Sequence, residues 1–187
     1  MVQIDEKVAD FEAEAFQNNE IKTVKLSDYR GKWVVLIFYP GDFTFICPTE
    51  LEEAAAYYDQ FKAAGAEILG VSTDSKWVHA AWHEASQAIS KVQYPLVADP
   101  TGNLCRQFGV YIEAEGVARR GSFIIDPNGV LRTAEIHNNS IGRSSRELLR
   151  KLQAAIFVTQ HDGEVCPASW EPGKNTLQPG LELVGKI

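Results

Sequence analysis

The sequence predicts an α/β fold: a central mixed β-sheet flanked by helices, with an irregular C-terminal arm. Three observations point there. A continuous apolar, β-branched and aromatic run at 33–39 has the composition of a strand buried on both faces, 67–72 reads as a second strand, and each is followed by a stretch with helical spacing. Two more runs, 122–126 and 130–132, flank Pro127-Asn128-Gly129, a hairpin signal, and a last helical stretch follows them. Strands that alternate with helices, then a hairpin, then a helix, imply layers packed on one sheet. With 187 residues the chain can bury a full core. That domain is assigned to 1–160. The arm takes 161–187, where prolines and glycines recur without sustained periodicity.

Taken in order, residues 11–26 alternate poorly around a polar centre, Gln17-Asn18-Asn19-Glu20, and read as a hairpin or a loop-rich opening. The 33–39 strand is broken by Pro40-Gly41-Asp42. From 49 to 64, Leu51, Ala54, Ala55, Tyr58 and Phe61 recur at helical spacing, and Gly65 suits the residue just past a helix end. After the second strand, Ser75 can cap a helix carrying Trp77, Val78, Ala81, Trp82 and Ala85 on one face. Residues 95–99 read as a short strand and 101–108 as a short helix. Ser144 or Ser145 can cap the final helix, with Leu148, Leu149, Leu152, Ala155 and Ile156 turned inward. No repeat or low-complexity tract is visible.

Composition removes several function classes. A chain that is 45% hydrophobic and 23% charged is not disordered as its main state. No apolar run approaches the roughly 18 residues of a membrane span. Eighteen basic residues against twenty-five acidic ones, a net charge of -7, argue against a broad nucleic-acid surface. The first seven residues carry acids and no apolar stretch, so the expectation is no secretory signal and a cytoplasmic protein. The three cysteines, Cys47, Cys105 and Cys166, include no CxxC pair, which argues against a zinc site and a secreted disulfide framework. In a reducing compartment such a cysteine is either buried filler or a catalytic thiol.

The chemically informative stretch joins the first buried strand to the first long helix. Cys47 sits where that helix begins, and Pro48 after it suits a first turn. Only the thiolate is a nucleophile, and an unperturbed thiol is only about 3% ionised at pH 7. A helix dipole contributes about 0.3–1 kcal/mol, less than one pKa unit. A guanidinium at about 4 Å contributes up to ~4 kcal/mol at an effective dielectric of ~20. A reactive thiolate at Cys47 therefore requires an arginine from elsewhere in the chain.

Pro40, Thr44 and Cys47 stand in the spacing PxxxTxxC, which resembles the peroxiredoxin signature. The string Phe43-Thr44-Phe45-Ile46-Cys47-Pro48-Thr49-Glu50 is similar to the typical two-cysteine class, and Glu164-Val165-Cys166-Pro167-Ala168 is similar to its second cysteine site. The likeness extends over Asp99-Pro100-Thr101-Gly102, the segment 116–123 and the ending Leu183-Val184-Gly185-Lys186-Ile187, and it is closest to the bacterial alkyl-hydroperoxide-reducing branch. What the resemblance implies is a thioredoxin-like fold and a thiol peroxidase acting on hydrogen peroxide and organic hydroperoxides. Cys47 is then the peroxidatic cysteine, oxidised to a sulfenic acid. Cys166 is the resolving cysteine, delivered by the arm of a partner subunit. Arg120 matches the family arginine that lowers the thiol pKa and polarises the peroxide. By the same resemblance Thr44 hydrogen-bonds the thiolate and peroxide, Pro40 shields the site from water, and Glu50 and Arg143 form a supporting charged pair. No metal or cofactor is implied in this chain. The implied partners are a flavoprotein disulfide reductase using a nicotinamide nucleotide, and further copies of the chain: a homodimer paired through strands, with five dimers in a ring.

Other residues read more plainly. Cys105 has no counterpart in the motif and reads as core filler. Arg119 stands beside Arg120, and spacing alone does not choose between them. His79 and His83 lack the HExxH pattern and read as half-exposed helix surface. Trp77, Trp82 and the Tyr57-Tyr58 pair read as packing, and the Glu12/Glu14 and Glu52/Glu53 pairs as solvated faces. The GGLG loop and the YF-containing final helix of many eukaryotic members are absent, which implies resistance to overoxidation. Two other functions compete with this one. A general thiol–disulfide oxidoreductase lacks its CxxC here. A holdase activity of the ring is compatible with peroxidase activity.

Overall fold

The computed structural model describes residues 1–187 and divides them into two units, 1–145 and 146–187. The first unit is built on a seven-stranded mixed sheet. Its strands and helices follow in the order β1 (Glu12–Gln17), β2 (Glu20–Lys25), β3 (Trp33–Phe38), α1 (Cys47–Ala63), β4 (Ala66–Ser72), α2 (Lys76–Ala85), β5 (Leu96–Ala98), α3 (Asn103–Gln107), β6 (Tyr111–Ile112), β7 (Val117–Ala118), β8 (Arg120–Ile125) and β9 (Leu131–His137). The sheet order is β2-β1-β5-β4-β3-β8-β9, and β6 and β7 form a separate small hairpin. Only the β3–β4 and β4–β5 pairs are parallel, joined through α1 and α2. The other pairings are antiparallel.

Every residue of β3 is buried, because the strand lies in the middle of the sheet with both faces covered. Val34, Leu36 and Phe38 turn to one face and meet Leu104, Phe108 and Phe123. Phe38, Phe108 and Phe123 form a three-ring cluster with centroids 4.8–5.6 Å apart. Val35 and Ile37 point to the opposite face. The buried stripe of α1, Leu51, Ala54, Tyr58 and Phe61, belongs to a helix that packs on β4.

Local chemistry sets the connections. The opening is a hairpin whose two turn residues, Asn18 and Asn19, both take positive φ, as the twist of a two-residue hairpin demands. Gly65, at φ +76°, ends α1 in the left-handed region. In the β8–β9 turn the Asp126 carboxylate accepts from the Asn128 and Val130 amides at 2.8 and 2.9 Å.

The structure corrects one helix face. Ser75 caps α2 through the Val78 amide, but the buried side chains of α2 are His79 and Trp82. Trp77 is 65% exposed, with Lys76 5.2 Å from its ring centroid, and Ala81 and Ala85 are exposed too. Five residues along an α-helix turn the side chain by about 140°, so Trp77 and Trp82 cannot share a face. His79 and Trp82, three apart, can. The β6–β7 hairpin is an element that the sequence reading did not contain.

The second unit holds most of α4 (Ser145–Gln160), on which Leu148, Leu149, Leu152 and Ala155 are buried, and the segment after it. That segment has one two-residue β-bridge, Val165 with Leu177, and a single short helical turn, Leu181–Leu183. No helix is long and apolar enough to cross a membrane.

Candidate active site

The site forms where β3 ends and α1 begins. Antiparallel pairing sets Gly121 of β8 opposite Phe38 of β3, so Arg120 lies one residue beyond, beside the connecting loop. Cys47 opens α1 and is fully buried. Its turn is closed by the Ile46 carbonyl, which accepts from the Thr49 and Glu50 amides and, at 2.6 Å, from the Thr49 hydroxyl. Pro48 needs no such bond, having no N–H.

Arg120 is 3% exposed, whereas its neighbour Arg119 is exposed. Arg120 Nε donates to the Asn139 carbonyl at 2.9 Å. Nη1 donates to Glu50 Oε2 at 2.6 Å and to Cys47 Sγ at 3.4 Å. A guanidinium has five N–H groups, and these three bonds leave the two on Nη2 uncommitted. Glu50 takes three more bonds from Arg143: from its amide at 2.8 Å, from Nε at 2.9 Å and from Nη2 at 3.0 Å. Arg143 Nη1 reaches the Gly121 carbonyl at 2.7 Å, tying the group to β8. Burial pushes the Glu50 carboxyl up, but the bonds and charge of Arg143, aided by Arg120, outweigh it and hold Glu50 below the usual carboxylate range. Two buried guanidiniums share one carboxylate, so the cluster carries one uncompensated positive charge. The Cys47 sulfur is the other side-chain acceptor in contact with Arg120.

The other expected residues are placed as follows. Pro40 is half-buried at the end of β3. Thr44 is exposed, and its hydroxyl donates to the Gly41 carbonyl at 2.8 Å, so its proton is committed to the loop backbone rather than to the thiol. Its oxygen lone pairs stay available as acceptors. Cys105 is buried, and burial together with Asp99 pushes its thiol far up, which leaves it inert. In the second unit, Cys166 is half-buried with Sγ 4.0 Å from the Ala154 carbonyl, and burial pushes its thiol up as well. Two sizeable clefts lie elsewhere, and neither is lined by Cys47 or Arg120. No cluster of His, Cys, Asp and Glu side chains has a metal-holding arrangement.

Behind the loop lies a buried group that the sequence reading missed. His79 is fully buried, not half-exposed surface, and its Nδ1 stands 2.7 Å from Asp42 Oδ2. Asp42 Oδ1 accepts from the Tyr39 hydroxyl at 2.8 Å, and the Asp42 amide donates to Asp74 at 2.8 Å. His79 Nε2 has no partner. These bonds anchor the loop between β3 and Cys47, in which Phe43 holds a positive φ of 54° with its ring 6.1 Å from Trp82. Asn139, whose carbonyl orients Arg120, was also missed. Nothing in the spacing of the sequence marks it.

The chain matches the AhpC/TSA family over residues 4–134, and the C-terminal domain of 1-Cys peroxiredoxin over residues 155–182. It is 50% identical to alkyl hydroperoxide reductase C of Pseudomonas aeruginosa and 49% identical to that of Bacillus subtilis, over 98% of each chain in both cases. Among solved structures, Enterococcus faecalis AhpC is 45% identical with a TM-score of 0.87, covering 89% of this chain and all of its own. The reduced 2-Cys peroxiredoxin of Plasmodium vivax is 35% identical with a TM-score of 0.91, covering 96% of this chain and 94% of its own.

Proposed function

The chain belongs to the AhpC/TSA family of peroxiredoxins, and from that premise we propose that Cys47 is the peroxidatic thiolate and Cys166 the resolving thiol of this peroxidase. The observation that carries the assignment is Arg120. One guanidinium touches the Cys47 sulfur, is oriented by Glu50 and Asn139, and keeps two N–H groups for a bound peroxide.

The enzyme reduces hydroperoxides to water or an alcohol. In the proposed mechanism the Cys47 thiolate attacks one peroxide oxygen. The S–O bond forms as the O–O bond breaks, and the leaving oxygen takes up a proton to become water or an alcohol. Negative charge that starts on sulfur spreads onto both oxygens in the transition state. The fixed Arg120 donors meet it there without reorganising. The Thr44 oxygen accepts the peroxide O–H and orients it, and Pro40 screens the pocket from water. The Cys166 thiolate of a partner subunit then attacks the sulfenic sulfur and expels water, leaving an intersubunit disulfide. A dithiol donor returns two electrons and two protons. We assign that role to a flavoprotein disulfide reductase that draws on a nicotinamide nucleotide.

Family membership carries dimer-based assembly. β9 is an outer strand of the sheet, and beyond Leu131, which pairs with Asp5 and Glu6, it can pair strand to strand between two copies. The exposed Phe43 and Phe45 supply apolar surface for a second contact that closes five dimers into a ring. Three free thiols suit a reducing cytoplasm.

One equivalent of hydrogen peroxide added to reduced protein, followed by a non-reducing denaturing gel, tests the cysteine pair. Wild type is expected near twice the 20.7 kDa of the monomer, with Cys47→Ser and Cys166→Ser remaining monomeric. Monomeric wild type would defeat the intersubunit assignment, and unreacted thiols by intact mass would defeat the peroxidase site itself. The pH dependence of the second step follows from Cys166. Its thiol is raised by burial, and the charge of Arg150 offsets that only in part. Disulfide formation should therefore quicken by about tenfold per pH unit through neutrality and keep rising beyond the ordinary thiol pKa of about 8.5. A rate that is flat between pH 6 and 8 in a rapid-quench series would refute this.

A further inference from the structure

The segment around Cys166 is a closed loop packed against its helix. Val165 and Leu177 exchange both backbone hydrogen bonds, at 2.9 and 3.0 Å, and Thr176 bonds Glu164 across the same neck. Cys166 is the first residue inside. Trp170 fills the loop at 3% exposure, its ring 4.9 Å from Phe157 and its Nε1 donating to the Lys174 carbonyl at 3.0 Å. The Trp170 amide donates back to Pro167 at 3.1 Å, and Glu171 pairs with Lys174 at 3.0 Å.

Besides the Trp170–Phe157 ring packing and a long Arg146–Glu171 pair at 3.9 Å, two contacts that use backbone carbonyls fasten this loop to α4. The Cys166 sulfur lies 4.0 Å from the Ala154 carbonyl, which is a weak contact. One turn earlier on the same helix face, Arg150 Nη1 donates to the Trp170 carbonyl at 2.8 Å. That bond is charge-assisted and so belongs to the stronger class. Arg150 is held in place by Glu147, which accepts from Nε and Nη2 at 2.8 Å each. A thiol lying against helix backbone cannot approach another sulfur along the S–O bond it must break, so the loop has to lift before Cys166 reacts.

We propose that Arg150 is the latch of this loop: its bond to Trp170 holds 165–177 closed on α4, and the open fraction sets the rate of disulfide formation. The proposal rests on the reading of Cys166 given above and adds a positioning residue to it. Opening is a rapid pre-equilibrium, so the observed rate is the product of the open fraction and the thiolate fraction. Arg150 acts on both: its charge favours the thiolate, while its bond favours the closed loop. The bond dominates, because it must be broken in every turnover, whereas an opened thiol is solvated and no longer needs the charge.

The test compares wild type with Arg150→Met, which keeps the alkyl stem, and Arg150→Lys, which keeps the charge but loses the planar fork. After one equivalent of hydrogen peroxide, peroxide loss reports the first step, and covalent dimer in rapid-quench samples reports the second. Arg150→Met should form dimer about tenfold faster, the scale of one hydrogen bond to a charged group. Peroxide consumption should be unchanged, and Arg150→Lys should fall between. Amide exchange at Val165 and Leu177, read on the reduced protein, should quicken by the same factor. Dimer formation that is unchanged or slower in Arg150→Met, or exchange that is unchanged, overturns the latch. Wild type that forms no covalent dimer sinks the reading of Cys166 instead, and the latch with it.

Discussion

Replacing Arg120 by methionine is expected to lower the second-order rate constant for peroxide reduction by about 10²–10³-fold, the usual loss when a fixed donor to a developing oxyanion is removed. The guanidinium is 3.4 Å from the Cys47 sulfur and 3% exposed, so solvent screens little of its charge. Coulomb's law at an effective dielectric of ~20 makes that contact worth up to about 5 kcal/mol. Glu50 takes a share of the same charge at 2.6 Å, which is why the expected loss is smaller than the bare figure. The pocket should survive the change, because Glu50 keeps its three bonds to Arg143. Arg120→Lys should recover only part of the rate. An ammonium on that stem cannot serve Asn139, Glu50, sulfur and peroxide at once. Arg119→Met is the control: that side chain is exposed, and its loss should stay within about twofold. Stopped-flow mixing with hydrogen peroxide decides the matter. An Arg120→Met rate within threefold of wild type would remove Arg120 from the mechanism.

The contrast between the two arginines shows where sequence reasoning ran out. Both stand at the start of a strand, and nothing in spacing separates them; the family likeness chose Arg120, and strand geometry gives the physical reason. Residues adjacent in a strand point to opposite sides, so only one can turn toward Cys47. The scaffold itself was legible wherever the signal was local. The β3 run, the Asn18-Asn19 turn, the Gly65 stop and the Pro127-Asn128-Gly129 hairpin each carry their cause within a few residues. The β6–β7 hairpin escaped because two-residue strands have no period to detect. The buried face of α2 departs from the expected one because Trp77 and Trp82, five apart, cannot share a stripe, whereas His79 and Trp82, three apart, do. Asp42 and His79 were invisible for another reason. They are 37 positions apart, and only the folded chain brings a loop carboxylate against a helix imidazole.

That buried pair leads to the second large effect. His79→Leu should destabilise the fold by about 3–5 kcal/mol, the cost of leaving the buried Asp42 carboxylate without its partner. For a chain of this size that is a fall in Tm of about 6–20 °C. Nδ1 is the atom through which the His79 ring meets Asp42, at 2.7 Å. Burial raises the Asp42 carboxyl above its usual range, with His79 and Tyr39 restraining the rise. Without His79 the carboxyl rises further and can shed its charge by taking a proton. The penalty in His79→Leu should therefore shrink as pH falls from 8 to 5, which a loss of packing alone would not do. His79→Asn offers an amide N–H near the Nδ1 position and removes the unpartnered nitrogen, so it should lose less than half as much. Combining Asp42→Asn with His79→Leu should cost less than the sum of the single changes, because the groups act as one unit. The same anchor holds the loop that presents Thr44 and leads into Cys47, so His79→Leu should also slow peroxide reduction at temperatures where it is fully folded. Thermal melts across that pH range measure the first effect and single-turnover kinetics the second. A His79→Leu protein that melts within 2 °C of wild type at pH 7 would mean that the Asp42 carboxylate is not held by His79.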